Sequence, residues 1–417
     1  MTPEIKQRIE QIRRGEVPER YVKTALGLAP ANWKRYTFGD IYTERKEPGD
    51  ENLPLLMVSI HSGVSDGEVD AAELPKQVKR IEDKSQYKKA VSGDLVFNMM
   101  LAWQGAIGAV RTTGMVSPAY IVAEPNDKAY PLFMDYYSRT PQMINQIDRQ
   151  SYGVTDFRKR LYWDSFAPIS CTLPPIEEQQ KIAAILTTQD KVIELKEKRL
   201  AEKQRQKKYL VQQLLTGKKR LPGFSGEWKK TKLKNILYER KTYSPKGLEY
   251  PHVTLSAEGI FPKSERYNRD HLVRDEDKEY KITHKGDICY NPANLKFGAI
   301  CENTFGDAIF SPIYVTFEVE ENICKEYIAN YLMRWDFINA VRKYEEGTVY
   351  ERMAVKPEDF LKFEIFLPQI EEQTAIAEVL SAADREIELL QQDIEQEKQK
   401  KKALMQLLLT GIVRVKI

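Results

Sequence analysis

The chain has 417 residues, which is enough for two or three domains, each with its own hydrophobic core. Hydrophobic residues make up 42% and charged residues 30% of the chain, a balance typical of a globular protein with solvated helices. Because 64 basic and 61 acidic residues nearly cancel, the net charge of +3 leaves a nucleic-acid partner open without indicating one.

Membrane insertion and secretion are not indicated. No apolar run approaches the roughly 18 residues that cross a membrane, and the polar first residues lack the apolar core of a signal peptide. The four cysteines, Cys171, Cys289, Cys301 and Cys324, are scattered without the spacing of a zinc site. We therefore expect a cytoplasmic protein with reduced thiols, no metal and no cofactor.

The first predicted element is a short helical segment at residues 1–19. Residues 8–15 (RIEQIRRG) resemble residues 210–217 (LVQQLLTG), which end a much longer helix just before a globular domain. Each globular domain is thus preceded by the end of a helix, as if the chain order had been cut from a circle.

Two mixed domains are predicted at residues 20–172 and 221–366. β-rich runs at 94–98, 120–123 and 314–317 alternate with Gly, Pro and Asp turns, and helical patterns occupy 131–150 and 325–344. Landmarks recur in the same order in both domains: residues 92–98 match 285–291, residues 105–107 match 298–300, and residues 117–120 match 311–314. The two domains therefore descend from one duplicated unit.

The strongest repeat follows each domain. Residues 173–179 (LPPIEEQ) recur as 367–373 (LPQIEEQ), and the two copies align without a gap as far as LLTG at 214–217 and 408–411. Nearly half of the aligned positions are identical, which shared composition does not explain. The chain therefore contains two similar long elements and is pseudo-symmetric.

Each repeated element has the heptad pattern of a paired helix. Apolar residues recur at alternating steps of four and three, which places them in one narrow seam. Polar seam positions, among them Lys196, Lys203, Lys207 and Glu397, weaken pairing but select register and partner. We expect the two helices to pair with each other, antiparallel, with Glu397 as the counter-charge of Lys203 or Lys207. The apolar seam residues are Ile182, Leu186, Ile193, Leu200, Leu210 and Leu214 in the first copy and Ile376, Leu380, Ile387, Ile394, Leu404 and Leu408 in the second.

Both ends of each helix carry boundary signals. Glu177 and Glu178 lie in the first turn, where the positive end of the helix dipole favours carboxylates. Gly217 and Gly411 occupy the positions at which a left-handed residue commonly ends a helix. Each helix should have about 40 residues and a length of roughly 60 Å. The alternative is a single solvated helix in each copy.

These elements predict an α+β fold class, with two pseudo-symmetric mixed α/β domains separated by an antiparallel coiled coil of two long helices. The predicted segments are a helical segment at 1–19, a first domain at 20–172, a central helix at 173–220, a second domain at 221–366 and a C-terminal helix at 367–417.

With its LPxIEEQ start and LLTG end in both copies, the whole chain resembles the specificity subunit of type I restriction-modification systems. The resemblance implies that the two domains are target-recognition domains and that the chain has no catalytic centre. It also implies that double-stranded DNA is bound at a split sequence, one half-site per domain, with the helices as a ruler. Two adenine methyltransferase subunits would dock on the chain, and restriction subunits that translocate DNA could join them.

The predicted symmetry agrees with such a role. A twofold arrangement in the protein matches the local twofold of duplex DNA, and two readers at a fixed separation require a fixed spacer. Since the two domains differ in sequence, the full target should be asymmetric. A helix of roughly 60 Å limits the span to somewhat under two DNA turns.

Candidate DNA-binding residues lie in loops that follow the repeated landmarks. These loops are 59–65, 98–104 and 152–160 in the first copy and 254–263, 291–296 and 345–352 in the second. Base edges are read by Arg, Lys, Asn and Gln, with help from hydroxyl and aromatic side chains. Because Gly153 and Arg158 match Gly347 and Arg352, these residues could instead clamp phosphates or support folding in both copies. The candidates are Ser59, Asn98, Gln104, Tyr152, Arg158, Lys159, Asn291, Lys296, Tyr350 and Arg352.

Catalytic motifs are missing from the sequence. It has no GxxxxGK[ST] phosphate loop, and the four histidines form no HExxH pattern. Residues 291–294 (NPAN) only superficially resemble the Asn-Pro-Pro-aromatic motif of adenine methyltransferases, since the second proline and the aromatic residue are absent. We expect a non-enzymatic DNA-recognition subunit. Two alternatives stay open: a duplicated coiled-coil scaffold that joins protein partners, and a fused restriction-methylation enzyme.

Overall fold

The protein was analysed as a computed structural model, which describes residues 3–24, 27–50, 52–61, 63–65, 86–153, 158–245, 249–263, 279–345 and 354–416. The contacts divide the chain into two compact units. Unit 1 comprises residues 1–196 and 393–417, and unit 2 comprises residues 197–392. The boundaries fall inside the two long helices, so each unit contains part of both.

Unit 1 is built from short strands and helices. Its helices before the long repeat are α1 (Pro3–Arg13), α2 (Phe38–Ile41), α3 (Pro131–Tyr137), α4 (Pro141–Gln150) and α5 (Trp163–Phe166). Its strands are β1 (Tyr21–Thr24), β2 (Gly27–Pro30), β3 (Lys34–Thr37), β4 (Tyr42–Glu44), β5 (Val58–Ser59), β6 (Gly63–Val64), β7 (Lys88–Ala90), β8 (Leu95–Asn98), β9 (Ile107–Ala109), β10 (Gly114–Val116), β11 (Tyr120–Pro125) and β12 (Ser170–Leu173).

An antiparallel sheet of four strands, in the order β4-β11-β8-β9, organises the core of unit 1. Strand β8 is buried along its whole length, as expected for a central strand rich in β-branched and aromatic residues. Phe97 from this strand packs against Phe166, which in turn packs against Phe38. Strand β12 pairs with β3 and then leads into the first long helix.

The helical pattern at 131–150 is two helices, where the sequence suggested one continuous element. The chain breaks at Thr140 because Pro141 lacks an N–H and disfavours the α conformation in the preceding residue. Thr140 then caps the second helix, accepting a hydrogen bond from the Met143 amide at 3.4 Å. The pattern at 325–344 is also divided in unit 2, between Leu332 and Trp335, although no proline or side-chain cap lies at that break.

Unit 2 repeats this plan. Its four-stranded sheet has the order β14-β22-β19-β20, the counterpart of the sheet in unit 1, which confirms the predicted pseudo-symmetry of the mixed domains. Its strands are β13 (Lys229–Lys232), β14 (Leu237–Glu239), β15 (Tyr243–Pro245), β16 (Val253–Ser256), β17 (Gly259–Pro262), β18 (Glu279–Thr283), β19 (Ile288–Tyr290), β20 (Ile300–Glu302), β21 (Ala308–Phe310), β22 (Val315–Val319) and β23 (Glu364–Leu367). Its short helices are α7 (Lys325–Leu332), α8 (Trp335–Val341) and α9 (Pro357–Leu361).

A buried ion pair explains two of the repeated landmarks. In unit 1 the guanidinium of Arg45 donates to both carboxylate oxygens of Asp94, at 2.7 and 3.2 Å. In unit 2 Arg240 binds Asp287 in the same two-pronged way, at 2.9 and 3.0 Å. A planar guanidinium fits a carboxylate in this geometry. The Glu-Arg-Lys sequence, which occurs at 44–46 and again at 239–241, and the repeated Gly-Asp sequence at 93–94 and 286–287 therefore support the fold in both copies.

The two repeated elements are helices of 39 and 40 residues, α6 (Ile176–Leu214) and α10 (Ile370–Leu409). Within unit 1, Lys196 contacts Asp393 at 2.8 Å, and Gln189 contacts Glu397 at 2.6 Å. Residue numbers thus rise along α6 as they fall along α10, so the helices pack antiparallel, as expected.

The predicted partner of Glu397 is wrong. Glu397 binds Gln189 and Lys196 in unit 1, at 2.6 and 2.9 Å. In unit 2 Lys203 pairs with Glu386 at 2.8 Å, and Lys207 pairs with Asp384. The antiparallel register sets these partners, and the sequence pattern alone did not fix that register.

The apolar seam is inside the protein. Four seam residues, Leu200, Leu210, Ile387 and Leu404, are half-buried, and the other eight are buried. Both helices also contribute to the core of each unit. Ile182, Leu186 and Leu408 share the core of unit 1, and Leu214, Ile376 and Leu380 share the core of unit 2.

The repeated motifs form the two ends of these helices. Gly217 and Gly411 have φ angles of +69° and +71°, the left-handed conformation predicted for a helix stop. In unit 1 the guanidinium of Arg414, just beyond the second stop, donates to Glu178 at 2.6 and 2.8 Å. In unit 2 Arg220 binds Glu372 at 2.5 and 2.6 Å. The C-terminal residues thus complete unit 1 as residues 217–220 complete unit 2.

Candidate nucleic-acid interface

The three predicted loops of the first copy lie side by side in unit 1. A side chain at Gly105 would meet the carbonyl oxygen of Ile60 at 3.3 Å, so loop 59–65 adjoins loop 98–104. The Leu161 amide donates to the carbonyl of Met99 at 2.8 Å, which joins loop 98–104 to the end of loop 152–160. We call the described residues of these loops, 59–61, 63–65, 98–104, 152–153 and 158–160, loop cluster 1. Neighbouring loops of this kind are suited to contact one ligand.

Lys159 fixes the arrangement at the centre of loop cluster 1. Its ammonium lies 2.8 Å from Asp148 at the end of α4 and 5.6 Å from the centre of the Trp103 ring. Lys159 is thus held by two neighbours, and its side chain joins two loops to a helix.

Tyr152, Arg158 and Arg160 form the exposed edge of the same cluster. The backbone of Tyr152 and Arg160 is paired by two hydrogen bonds, of 3.1 and 2.8 Å, which brings the two ends of loop 152–160 together. A side chain at Gly153 would come within 2.2 Å of the Arg158 carbonyl oxygen, so this close approach requires glycine. The exposed arginines place positive charge beside an exposed tyrosine ring, a combination suited to phosphates and bases.

Two candidates are buried and shape their loops. The Asn98 side-chain oxygen accepts the Met100 amide at 2.9 Å. The equivalent Asn291 accepts the amides of Ala293 and Asn294, at 3.1 and 3.3 Å. We therefore assign both asparagines to holding a turn, and direct contact with DNA is better expected from their exposed neighbours.

Ser59 and Gln104 differ in whether the side chain is engaged in a local turn. The hydroxyl of Ser59 accepts the backbone amide of His61 at 3.1 Å, which shapes the turn between β5 and β6. Gln104 is exposed at the last position of a 3₁₀ turn, Ala102–Gln104. Gln104 therefore stays a candidate for base contact, and Ser59 has a local structural role beside its predicted one.

Unit 2 brings the equivalent loops together. A side chain at Gly298 would lie 3.8 Å from Ala257 and 3.7 Å from Trp335. The carbonyl of Pro292 accepts the Val355 amide at 3.3 Å, which ties this loop to the chain near the third predicted loop. We call residues 254–263 and 291–298 loop cluster 2. Tyr350 and Arg352, predicted for the third loop, lie outside the described residues.

Exposed aromatic residues in loop cluster 2 were missed by the sequence reasoning. Phe297 is 62% exposed, and Trp335, at the start of α8, is 58% exposed. The ammonium of the predicted Lys296 lies 5.2 Å from the centre of the Phe297 ring. The alignment of Phe297 with the candidate Gln104 could have identified it as a site residue, but the sequence alone did not show that its ring faces solvent.

The features described in both units are surface loops suited to binding. Within the described parts of the chain, no group of three or more His, Cys, Asp or Glu side chains is placed to hold a metal ion. Over the same residues, no helix has both the length and the apolar character needed to cross a membrane. Two similar scaffolds with unlike exposed loops, in a chain with paired helices, define a duplicated recognition protein.

A comparison with protein families identifies which kind of recognition protein this is. A family model described as the type I restriction modification DNA specificity domain matches residues 77–204 and 226–399, which is most of the chain. The chain belongs to this family. It is therefore a DNA-specificity subunit of a restriction-modification system, a non-catalytic component that acts with DNA and with other subunits of the system.

Individual relatives agree along nearly the whole chain. The putative type I restriction enzyme MjaX specificity subunit of Methanocaldococcus jannaschii is 24% identical over 446 residues, covering 95% of this chain and 97% of the relative. The S subunit structure from M. genitalium has a TM-score of 0.54 at 11% identity, over 90% of this chain and 96% of that one. A chain from a structure on the assembly and conformational transition of the type I system has a TM-score of 0.54 at 16% identity, with coverages of 92% and 99%. The solved structures support the predicted fold class.

Proposed function

We propose that this chain reads a bipartite, asymmetric DNA target, with one half-site for each predicted recognition domain, 20–172 and 221–366. One observation carries the proposal: loop clusters 1 and 2 are built on the same scaffold but display different side chains. Trp103 and Gln104 in the first copy correspond to Lys296 and Phe297 in the second. Two domains with the same backbone scaffold and different exposed loop side chains are expected when each domain recognises a different half-site.

The candidate residues would divide by role. Arg158 and Lys296 carry charge that would position the duplex through its phosphates, and Lys159, already paired with Asp148, would hold loop cluster 1 in place for that contact. Gln104 and Tyr152 are exposed in loop cluster 1 and would contact base edges. For Tyr350 and Arg352, the same roles rest on the sequence alone.

The spacer between the half-sites would be set by α6 and α10. Their 39 and 40 residues correspond to a length of about 60 Å at a rise of about 1.5 Å per residue. Charged contacts between the helices in each unit hold one register, because a slipped register would place unpaired charges opposite each other. A fixed register supports a fixed spacer.

Two equal docking sites for methyltransferase subunits are supported by the exposed identities between copies. Most residues shared by the two repeats are buried and explained by the fold, but some face solvent in both copies. Leu195 is 63% and Leu389 is 65% exposed, and they occupy equivalent positions. Identical exposed residues are expected where the same partner binds twice. The exposed identities in unit 1 are Ile176, Glu177, Glu194, Leu195, Lys402 and Gln406, and those in unit 2 are Ile370, Glu371, Glu388, Leu389, Lys208 and Gln212.

Restriction subunits would join this assembly through the docked methyltransferases. Because cellular DNA is the expected ligand, we place the complex in the cytoplasm.

The proposal is tested with the full chain copurified with its methyltransferase. Methylated adenines mapped in the source genome, with and without this gene, give both half-sites and the spacer. The purified complex should then bind that duplex at least about a thousandfold more tightly than an unrelated duplex at the same salt concentration. Changing the spacer by one or two base pairs should remove this preference.

A protein scaffold without DNA specificity predicts a different result. In that case the complex would bind all duplexes equally well at every salt concentration, and deleting the gene would leave the methylation pattern unchanged. Either result would overturn the proposed function.

A further inference from the structure

Gln104 and Phe297 occupy the same position on equivalent scaffolds. Each is the last residue of a 3₁₀ turn, Ala102–Gln104 or Leu295–Phe297. The following glycines, Gly105 and Gly298, have φ angles of +108° and +84°, so both turns end in the same left-handed conformation. The backbone therefore presents an amide side chain in loop cluster 1 and a benzyl side chain in loop cluster 2.

Phe297 is unusual for an exposed loop residue. It leaves 62% of its surface in water, and the neighbouring Trp335 leaves 58%. Adjacent exposed apolar side chains commonly mark a binding surface. The ammonium of Lys296, which lies 5.2 Å from the Phe297 ring centre, adds positive charge at the same place. This combination suits a ligand that has both an apolar group and negative charge nearby.

Duplex DNA offers one such apolar group. In the major groove only thymine displays a methyl group, which aromatic and aliphatic side chains contact, while phosphates lie on either side. An amide side chain at the same place instead matches adenine, whose N6 and N7 atoms pair with both ends of glutamine.

We propose that Phe297 recognises the methyl group of a thymine in one half-site and that Gln104 recognises the edge of an adenine in the other. This inference rests on the proposed function, since it requires that the loop clusters face DNA. It assigns opposite chemistry to the two domains: apolar readout in unit 2 and hydrogen-bonded readout in unit 1.

The test removes single atoms from the DNA. Once the target is mapped, duplexes are made in which each thymine in turn is replaced by deoxyuracil, which lacks the methyl group. In a second series each adenine is replaced by 7-deazaadenine, which lacks N7. Binding of the methyltransferase-associated chain is measured by competition, without methyl donor, for the wild type, Phe297→Ala and Gln104→Ala.

One deoxyuracil position should weaken binding of the wild type by about threefold to tenfold. The Phe297→Ala complex should bind the normal target more weakly and respond no further to that substitution, so the two losses are not additive. Gln104→Ala should show the same coupling with one 7-deazaadenine position in the other half-site. Phe305→Ala serves as the matched control, because Phe305 is also exposed in unit 2 but lies outside loop cluster 2.

Three results would separate the hypotheses. If the wild type selects its target but responds to no deoxyuracil, the thymine assignment is wrong and the proposed function stands. If Phe297→Ala reduces copurification of the methyltransferase in the absence of DNA, Phe297 is a protein contact and the inference is overturned. If the wild type does not distinguish its mapped target from other duplexes, the proposed function itself fails. Thermal unfolding of each variant confirms that the exposed substitutions leave the fold intact.

Discussion

At the scale of single residues, the repeated LPxIEEQ motif is explained by what its polar side chains bind. Glu178 and Glu372 are buried and each receives two hydrogen bonds from an arginine that follows the opposite helix stop. Gln179 is also buried, accepting the Tyr130 amide and donating to the Pro174 carbonyl, both at 2.9 Å. The motif that marks the start of each long helix in the sequence is thus a joint between helix and domain.

Removing either arginine should destabilise the fold, and unit 2 should lose more. Arg220→Ala leaves the Glu372 carboxylate buried without its paired charge, which should lower the free energy of unfolding by about 3 kcal/mol. Arg414→Ala should cost less, because the Trp33 indole still donates to Glu178 at 3.3 Å. The Trp228 indole nitrogen, its counterpart, has no hydrogen-bond partner among the described residues. Urea unfolding of both variants checks the order, and equal losses would contradict it.

Glu397 should make the stability of unit 1 depend on pH in the acid range. Its hydrogen bond from Gln189 and its contact with Lys196 lower its pKa to about 2, below the ordinary value of 4.5. A lowered pKa in the folded state means that the stabilisation is fully present above about pH 4.5 and is lost as the pH falls towards 2. Compared with Glu397→Gln, the wild type should be more stable at pH 6, and the difference should shrink between pH 4.5 and 2. Thermal unfolding over this range measures it, and a constant difference would refute the assignment.

At the scale of elements, the sequence patterns predicted the long helices correctly, but they did not predict which residues pair between the helices. The heptads predicted both long helices, because a repeated apolar seam has few alternative folds, and the glycines at 217 and 411 predicted where they end. They did not give the partner of Glu397, which depends on the register between helices. The break before Pro141 could have been read from proline geometry alone.

The candidate site was predictable only in part, because sequence does not report exposure. Asn98 and Asn291 have the right chemistry for base contact, but both are buried and hold turns. Phe297 has an apolar side chain of the kind usually buried in a core, yet it faces solvent. Alignment of the two copies located the loops, since each follows a repeated landmark, whereas side-chain direction required the fold.

The exposed faces of the long helices provide a test of docking. If one methyltransferase binds each copy, Leu195→Asp and Leu389→Asp should each reduce the number of bound methyltransferase subunits from two to one, and the double variant should bind none. A charge in the centre of an interface loses the apolar contact and leaves an unpaired group. Mass determination of the copurified complex gives the stoichiometry.

Phe305→Asp is the matched control for docking. Phe305 is exposed in unit 2 but belongs to neither long helix, so it is not part of the shared surface. Full binding by both leucine variants, or loss of binding by the Phe305 variant, would assign docking to a different surface.

At the scale of the whole molecule, the spacer hypothesis predicts a change in the DNA target from a change far from any DNA-contacting loop. Deleting residues 196–202 and 390–396 removes one heptad from the same place in each copy, keeps the apolar seam continuous and retains the exposed Leu195 and Leu389. Each helix shortens by about 10 Å at 1.5 Å per residue, equivalent to about three base pairs of 3.4 Å. The preferred spacer should shorten by about that amount while both half-sites remain the same. Selection from a library of duplexes with every spacer length measures it, and an unchanged spacer would rule out the helices as the ruler. Deleting the heptad from α6 alone supplies the control, because it brings unmatched residues together and should lower stability without defining a new spacer.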